Sequence, residues 1–191
     1  MQKLASFATV LTLAGSALAT TLVPRKSPEF TIVEPSGKQT LLSSFKGKVV
    51  VIEFLFIQSP HCLRVAQTMN KLQNELGPRG FQPVGIAFGP DATGPMVTYL
   101  VDYLKLTYPV GYASSEQVDA YLDRHGHEIL NVPQVVVIDR SGVIRALSGG
   151  KGGDPKLENE GSLRTLIDSL LKESPPAGNT KKTTSPQRKT S

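Results

Sequence analysis

Residues 49–57 read Val-Val-Val-Ile-Glu-Phe-Leu-Phe-Ile, and residues 59–62 read Ser-Pro-His-Cys. The first stretch is almost continuously apolar and rich in β-branched and aromatic side chains, which is typical of a central strand covered on both faces. Apolar residues then recur at helical spacing until a Gly-Pro stop at residues 77–78. They are Leu63, Ala66, Met69, Leu72 and Leu76. The stretch therefore predicts a strand, a turn and a long helix with Cys62 in its first turn.

Strand and helix signals alternate on both sides of this unit. The order of the signals is β-α-β-α-β-α-β-β-α, which predicts an α/β fold with one mixed sheet. The tyrosines at 99, 103 and 108 are interpreted as core residues. The other predicted elements are a hairpin of residues 30–33 and 40–42, strands at 84–88 and 108–112, helices at 96–106 and 117–125, a hairpin of 135–138 and 143–147, and a helix at about 163–171.

The ends of the chain differ from its middle. Lys3 and the apolar run behind it, followed by Ala17-Leu18-Ala19, are typical of a secretory signal cleaved after Ala19. Residues 174–191 contain Ser, Thr, Pro, Lys and Arg without a large apolar side chain, which predicts a disordered basic tail. We therefore expect a signal peptide at 1–19, one domain at 20–173 and a tail at 174–191. The protein is expected to be exported to the periplasm or secreted, or tethered to the membrane if it is not cleaved.

Composition excludes several classes of protein. The chain has 191 residues, 39% of them hydrophobic, and a single cysteine, which excludes an intrachain disulfide scaffold and a multi-cysteine metal site. The net charge is +5, but Lys3 and four cations of the tail account for all of it, so the predicted domain is neutral. The sequence therefore predicts no nucleic-acid partner and no membrane contact beyond the signal segment.

The position of Cys62 predicts a reactive thiol. Unpaired N–H groups and the helix dipole favour an anion in the first turn of a helix. Together with the neighbouring His61, they are expected to lower the pKa of Cys62 from the ordinary thiol value near 8.5. We therefore expect Cys62 to be the only redox centre, with Ser59 and His61 tuning its thiolate.

The chain resembles the thioredoxin-like superfamily, in particular the exported TlpA-like and AhpC/TSA proteins (peroxiredoxin-like, redoxin). The resemblance covers about residues 26–172. It implies a central mixed sheet flanked by helices, with an N-terminal β-hairpin extension and one inserted helix–strand unit. It also implies a cis proline at Pro133 that faces the active-site turn, and a substrate groove shaped by Pro60, Val132 and Pro133. The residues that carry the resemblance are Ser27–Thr31, Gly37-Lys38, Phe45–Val51, the turn ending in Cys62, Val132-Pro133 and Ile138–Ile144.

Glu53 lies six residues before Ser59, where a thioredoxin carries its buried acidic residue. A carboxylate within an apolar strand is costly unless it is partnered, and burial should raise its pKa into a range useful for proton transfer. We consider two interpretations. Glu53 relays protons for Cys62, or it points to a polar loop or pairs with a lysine such as Lys48.

Ser59 departs from the Cys-x-x-Cys pattern of dithiol reductases, because a hydroxyl cannot form a disulfide. Three hypotheses remain open. Cys62 reacts with peroxide as in the Ser/Thr-x-x-Cys turn of peroxiredoxins, giving an antioxidant thiol peroxidase recycled by an external thiol reductant. Alternatively, Cys62 exchanges disulfides with exported protein thiols, or the domain is a redox-inactive binding or structural module.

Other motifs predict no further chemistry. His125-Gly126-His127-Glu128 contains metal-ligating residue types without a third ligand of known proximity, and we interpret it as solvated. The glycine-rich residues 149–153 lack the order of a phosphate-binding loop. The sequence therefore predicts no metal site and no cofactor.

Overall fold

The structure, a computed structural model, describes residues 23–124, 130–150 and 152–173. The expected signal peptide, the expected tail and residues 125–128 of the histidine motif lie outside the described residues. No helix of the described ranges is long and apolar enough to cross a lipid bilayer.

One eight-stranded mixed sheet forms the centre of the molecule, in the order β1-β8-β7-β4-β5-β6-β2-β3. Strand β4 pairs in parallel with β5 and antiparallel with β7. The strands are β1 (Arg25–Lys26), β2 (Thr31–Val33), β3 (Gln39–Leu41), β4 (Val49–Leu55), β5 (Phe81–Ala87), β6 (Val110–Tyr112), β7 (Gln134–Ile138) and β8 (Val143–Leu147). The helices are α1 (Pro60–Leu76), α2 (Gly94–Leu104), α3 (Ser115–Leu122) and α4 (Glu160–Lys172).

This architecture confirms the predicted α/β fold. The hairpin β2–β3 extends the sheet beyond β6, and α2 with β6 forms the inserted helix–strand unit. Strand β1, which the sequence analysis missed, is only two residues long and pairs with β8. Helix α3 ends at Leu122, earlier than predicted, because Asp123 adopts a left-handed conformation with φ 57°.

The alternation of side chains along β4 divides the core into two layers. Val49, Val51 and Leu55 face the layer that contains α1 and α4. Val50, Ile52 and Phe54 face the layer that contains α3. By the same alternation, Glu53 lies on the face covered by α1, which is also the face of Cys62.

The tyrosines divide between core and surface. Tyr108 is buried, as predicted, and its hydroxyl donates to the carbonyl oxygen of Ala66 at 3.2 Å. The prediction is wrong for Tyr99 and Tyr103, which are 61% and 64% exposed and stack on each other at 5.8 Å between ring centroids. The reason is that α2 buries the face containing Val97, while the two tyrosines, one turn apart, lie on its outer face.

Candidate active site

The candidate site lies where β4 ends and α1 begins. Ser59 is the N-cap residue of α1, and its main chain is extended, with φ −83° and ψ 114°. Its hydroxyl accepts a hydrogen bond from the N–H of Cys62 at 3.4 Å, and its own N–H donates to the carbonyl oxygen of Phe56 at 3.1 Å. Pro60 follows at the first helical position, where the missing N–H costs nothing. Cys62 is therefore held in the first turn of the helix, as predicted.

The thiol of Cys62 is fully buried, whereas Ser59 is half-buried and Pro60 is exposed. Burial raises the pKa of Cys62, and the negative charge of Glu53 adds to that effect. Hydrogen bonds from the Ser59 hydroxyl and from the backbone of Phe56 act to lower the pKa but do not outweigh burial. The prediction of a lowered thiol pKa is therefore wrong, because the sequence could not show how completely the thiol is removed from water.

His61 has a partner that the sequence did not indicate. Its Nε2 atom lies 3.1 Å from Oε2 of Glu158, and the two side chains are 45% and 19% exposed. Glu158 belongs to a 3-10 turn at Pro155–Glu158, nearly one hundred residues further along the chain. His61 is thus engaged by a carboxylate at the surface of the site, and its effect on the thiolate stays a prediction.

Glu53 is the most unusual group of the site. It lies opposite Gly85 of β5 and Val135 of β7, its side chain is fully buried, and neither carboxyl oxygen has a hydrogen-bond partner among the described residues. Burial raises the pKa of Glu53 well above its ordinary value, and the charge of Glu158 raises it further. The protonated form of Glu53 therefore persists to higher pH than in an ordinary carboxyl group.

The alternative pairing of Glu53 with Lys48 is wrong. The ammonium group of Lys48 donates to Oε1 of Gln82 at 3.1 Å instead. Lys48 lies one residue before β4, whereas Glu53 is its fifth residue. The pairing fails because the carboxyl group points into the buried layer beneath α1, away from the end of the strand where Lys48 lies.

Pro133 lies at the same end of the sheet as Ser59. The peptide bond between Val132 and Pro133 is cis, as the resemblance implied. Gln134, the first residue of β7, lies opposite Phe54 of β4. Pro133 is therefore opposite Leu55, where β4 leads into the turn that carries Ser59. Val132 is half-buried and packs against both core layers, including the one that contains Cys62, and the substrate groove of Pro60, Val132 and Pro133 stays a prediction.

Two groups of the site were missed by the sequence analysis. Glu158 contacts His61 and acts electrostatically on Glu53. Burial raises the pKa of the Tyr108 hydroxyl well above its ordinary value, and the negative charge of Glu53 raises it further. No local signal marks either residue, because each reaches the site through a long-range contact. The ranges described contain no cluster of three or more His, Cys, Asp and Glu side chains able to hold a metal ion.

The chain is similar to known thioredoxin-like proteins. The thioredoxin-like protein YneN of Bacillus subtilis (strain 168) is 23% identical over 141 residues, 71% of this chain and 76% of that protein. A thiol:disulfide interchange protein of the thioredoxin family from Chlorobium tepidum TLS is 26% identical, with a TM-score of 0.64 over 78% of this chain and 98% of that one. The thioredoxin domain of a thiol-disulfide oxidoreductase from Bacteroides vulgatus, at 20% identity, shares the fold with a TM-score of 0.60 over 79% and 99% of the two chains.

The sequence signature of the Redoxin family matches residues 23–163. This range contains the sheet, the turn with Ser59 and Cys62, and the cis proline at 133. The chain therefore belongs to the Redoxin family and has a thioredoxin-like fold.

Proposed function

We propose that this protein is an exported thiol–disulfide exchange protein that works through the single thiol of Cys62. The observation that carries the proposal is the carboxyl group of Glu53, which has no hydrogen-bond partner among the described residues and is buried on the same face of the sheet as Cys62. A buried carboxyl group without hydrogen bonds lowers the folding stability, so its presence on the same face as the thiol indicates a functional role. Its raised pKa suits a group that accepts a proton from a thiol and returns it.

The exchange step uses Glu53, Cys62 and Ser59. The carboxylate of Glu53 accepts the proton of the Cys62 thiol, and the resulting thiolate attacks one sulfur of a substrate disulfide. A bond forms between Cys62 Sγ and that sulfur, the substrate S–S bond breaks, and the second substrate sulfur leaves as a thiolate that takes the proton from Glu53. The Ser59 hydroxyl supports the Cys62 thiolate by hydrogen bonding.

The mixed disulfide must be resolved by a second molecule, because Ser59 cannot supply a sulfur. An external thiol reductant attacks the mixed disulfide and releases Cys62 in its reduced form. The substrate is an exported protein thiol or disulfide, consistent with the signal-like residues 1–19. The interchange activity named for the Chlorobium tepidum neighbour, at 26% identity, supports the same class of reaction.

A second candidate function is a redox-inactive binding module. The observation that favours it is the full burial of Cys62 combined with its raised pKa. In this case the half-buried Ser59, at the position where dithiol reductases carry their attacking sulfur, contacts a partner without forming a covalent bond. The thiol peroxidase hypothesis is the third outcome of the same experiment, in which Cys62 attacks a peroxide oxygen, becomes a sulfenic acid and releases an alcohol or water.

The experiment is mass spectrometry of the mature protein after reaction with oxidised glutathione and, separately, with limiting hydrogen peroxide. The Cys62→Ser variant is the blank. Disulfide exchange predicts one glutathione per chain, located on Cys62, and slow formation of sulfenic acid. Fast formation of sulfenic acid without a glutathione adduct would indicate peroxidase chemistry instead of disulfide exchange. An unmodified thiol in both reactions would favour the binding module.

A further inference from the structure

An aromatic cleft opens beside the hydroxyl of Ser59. The ring of Phe56 is 37% exposed, although Phe56 lies only three residues before Ser59 in the turn that forms the site. The cleft has a volume of about 280 Å³, and Phe56, Gln58, Ser59, Phe88 and Asp91 are among the residues that line it. We call these five residues the Phe56 cleft. Because Ser59 lines the cleft and also accepts a hydrogen bond from the N–H of Cys62, a group bound in the cleft contacts the residue that caps the helix of Cys62.

The Phe56 ring is held in place although it is exposed. It packs on the buried ring of Phe88, with the ring centroids 4.7 Å apart. Gly89 has a φ of +89°, and a Cβ atom at this position would lie 3.1 Å from the Phe56 ring. Glycine thus allows the main chain to run against the ring. An aromatic surface ordered in this way without being buried is suited to binding, since little side-chain entropy remains to be lost.

The size and charge of the cleft restrict what it binds. Its volume is below the range of sites for whole drug-sized ligands, so it accommodates a single large side chain. Among the described residues that line it, Asp91 is the only ionisable one, and its Oδ2 atom accepts a hydrogen bond from Nε2 of Gln58 at 3.0 Å. The carboxylate favours a basic group beside the apolar one and disfavours an acidic group.

We infer that the Phe56 cleft selects disulfide substrates that are peptides with an aromatic residue and a basic residue beside the reacting cysteine. This inference rests on the proposed exchange function and names its class of substrate. The chain's own residues 174–191 are basic but contain no aromatic side chain, so a separate polypeptide fits the cleft better.

The first arm of the test measures glutathione release from four synthetic peptides whose cysteine carries glutathione in a mixed disulfide. The two residues before cysteine are Lys-Phe, Lys-Ser, Glu-Phe or Glu-Ser. We expect the phenylalanine peptides to react about tenfold faster than the serine peptides, and the lysine peptides about threefold faster than the glutamate peptides at low salt. Equal rates for all four peptides would overturn the inference.

Variants assign these preferences to the cleft. Phe56→Ala should abolish the preference for phenylalanine, and Asp91→Asn should abolish the preference for lysine. The matched controls are Tyr99→Ala, an exposed aromatic outside the cleft, and Asp102→Asn, an exposed carboxylate on α2; both should keep the preferences. Loss of the phenylalanine preference in Tyr99→Ala, or its persistence in a folded Phe56→Ala, would contradict the assignment. If Phe56→Ala does not fold, the peptide series on the natural sequence decides.

The second arm separates this inference from the proposed function. The Cys62→Ser variant is titrated with fluorescein-labelled peptides in which serine replaces cysteine, and binding is followed by anisotropy. We expect the affinities to rank the four peptides in the same order as the reaction rates of the first arm, even if Cys62 is chemically inert. Affinities that do not depend on phenylalanine would overturn the cleft assignment and leave the exchange chemistry standing.

Discussion

Two buried acids, Glu53 and Asp139, differ in their hydrogen bonds and in the direction in which their pKa is shifted. Glu53 of β4 has no hydrogen-bond partner among the described residues, and burial raises its pKa well above the ordinary value. Asp139, in the turn between β7 and β8, is 9% exposed. Its carboxylate accepts hydrogen bonds from the N–H groups of Ser141 and Val143 at 2.9 and 3.1 Å, from the Ser141 hydroxyl at 2.6 Å and from Arg145 at 3.1 Å.

The difference between these acids separates a structural role from a chemical one. Burial acts to raise the pKa of Asp139, but the hydrogen bonds outweigh it, so the pKa is lowered and the carboxylate stays charged. Asp139 thereby fixes the tight turn of a hairpin. Glu53 forms no hydrogen bond with the part of the chain that the structure describes, yet it lies on the face of β4 that is covered by the helix of Cys62. An acid kept at such a cost is suited to gaining and losing a proton.

The largest expected effect follows from giving the site a second sulfur. Ser59→Cys creates Cys-x-x-Cys, in which the new sulfur attacks the substrate disulfide and Cys62 resolves the mixed disulfide within the chain. We expect insulin reduction by dithiothreitol to accelerate by at least about a hundredfold over the natural sequence, because an intramolecular thiol acts at a high effective concentration.

Adding a second substitution to Ser59→Cys compares the two acids directly. Glu53→Gln should slow the new reductase activity, while Asp139→Asn should leave the rate per folded molecule unchanged. Equal slowing by both substitutions would show that Glu53 has no chemical role that Asp139 lacks.

The next effect is on folding stability. Asp139→Ala removes four hydrogen bonds to a charged acceptor and should lower the free energy of unfolding by about 3 kcal/mol. Urea unfolding followed by circular dichroism measures this value. The control is Asp102→Ala on the exposed face of α2, which should change the free energy by less than about 0.5 kcal/mol. A loss at Asp139 no larger than this control would show that its hydrogen bonds do not stabilise the turn.

The pH dependence of stability should have opposite signs for the two acids. The raised pKa of Glu53 means that the folded protein binds its proton above pH 4.5 while the unfolded chain does not, so stability falls as pH rises, by up to about 1.4 kcal/mol per pH unit. The lowered pKa of Asp139 means that its contribution is present above its ordinary value of 3.8 and is lost as pH falls through the folded pKa.

Unfolding curves from pH 3 to pH 9 test both signs. Glu53→Gln should flatten the alkaline decline, and Asp139→Asn should flatten the acid decline. A Glu53→Gln variant with the same alkaline decline as the natural sequence would indicate that Glu53 is not the titrating group.

The smallest expected effect concerns Glu158. Its charge raises the pKa of Glu53, although burial is the larger cause, so Glu158→Gln should move the Glu53 titration modestly to lower pH. Carbon-detected NMR of the Glu53 carboxyl group measures this directly. The matched control is Glu173→Gln, which removes a partner of Arg145 in the region of Asp139 and should leave Glu53 unmoved. An unchanged Glu53 titration in Glu158→Gln would show that the charge of Glu158 does not affect the pKa of Glu53.

The sequence predicted the features that depend on local pattern. The apolar run at 49–57 predicted β4, and the helical spacing that follows it predicted α1, with Cys62 in the first turn. The resemblance implied a cis bond before Pro133, which the structure contains. Each of these depends on near neighbours in the chain or on a motif of a few residues.

The features that the sequence did not reveal depend on distant contacts and on the degree of burial. The pairing of His61 with Glu158 joins residues nearly one hundred positions apart. The hydrogen bond of the Ser59 hydroxyl acts to lower the pKa of Cys62, but burial raises that pKa by more, and the degree of burial could not be known from the sequence. The outward face of α2 was misjudged because Tyr99 and Tyr103 are apolar enough to be counted as core.

The pH dependence of glutathione adduct formation, compared between the natural sequence and Glu53→Gln, tests the central claim most directly. Intact-mass spectrometry after short exposure to oxidised glutathione from pH 6 to pH 10 gives the rate at each pH. The account predicts one adduct on Cys62, with a titration midpoint above the ordinary thiol value near 8.5 that moves to lower pH in Glu53→Gln, where the opposing charge is gone. An identical midpoint in both proteins, or an adduct only after unfolding, would contradict it.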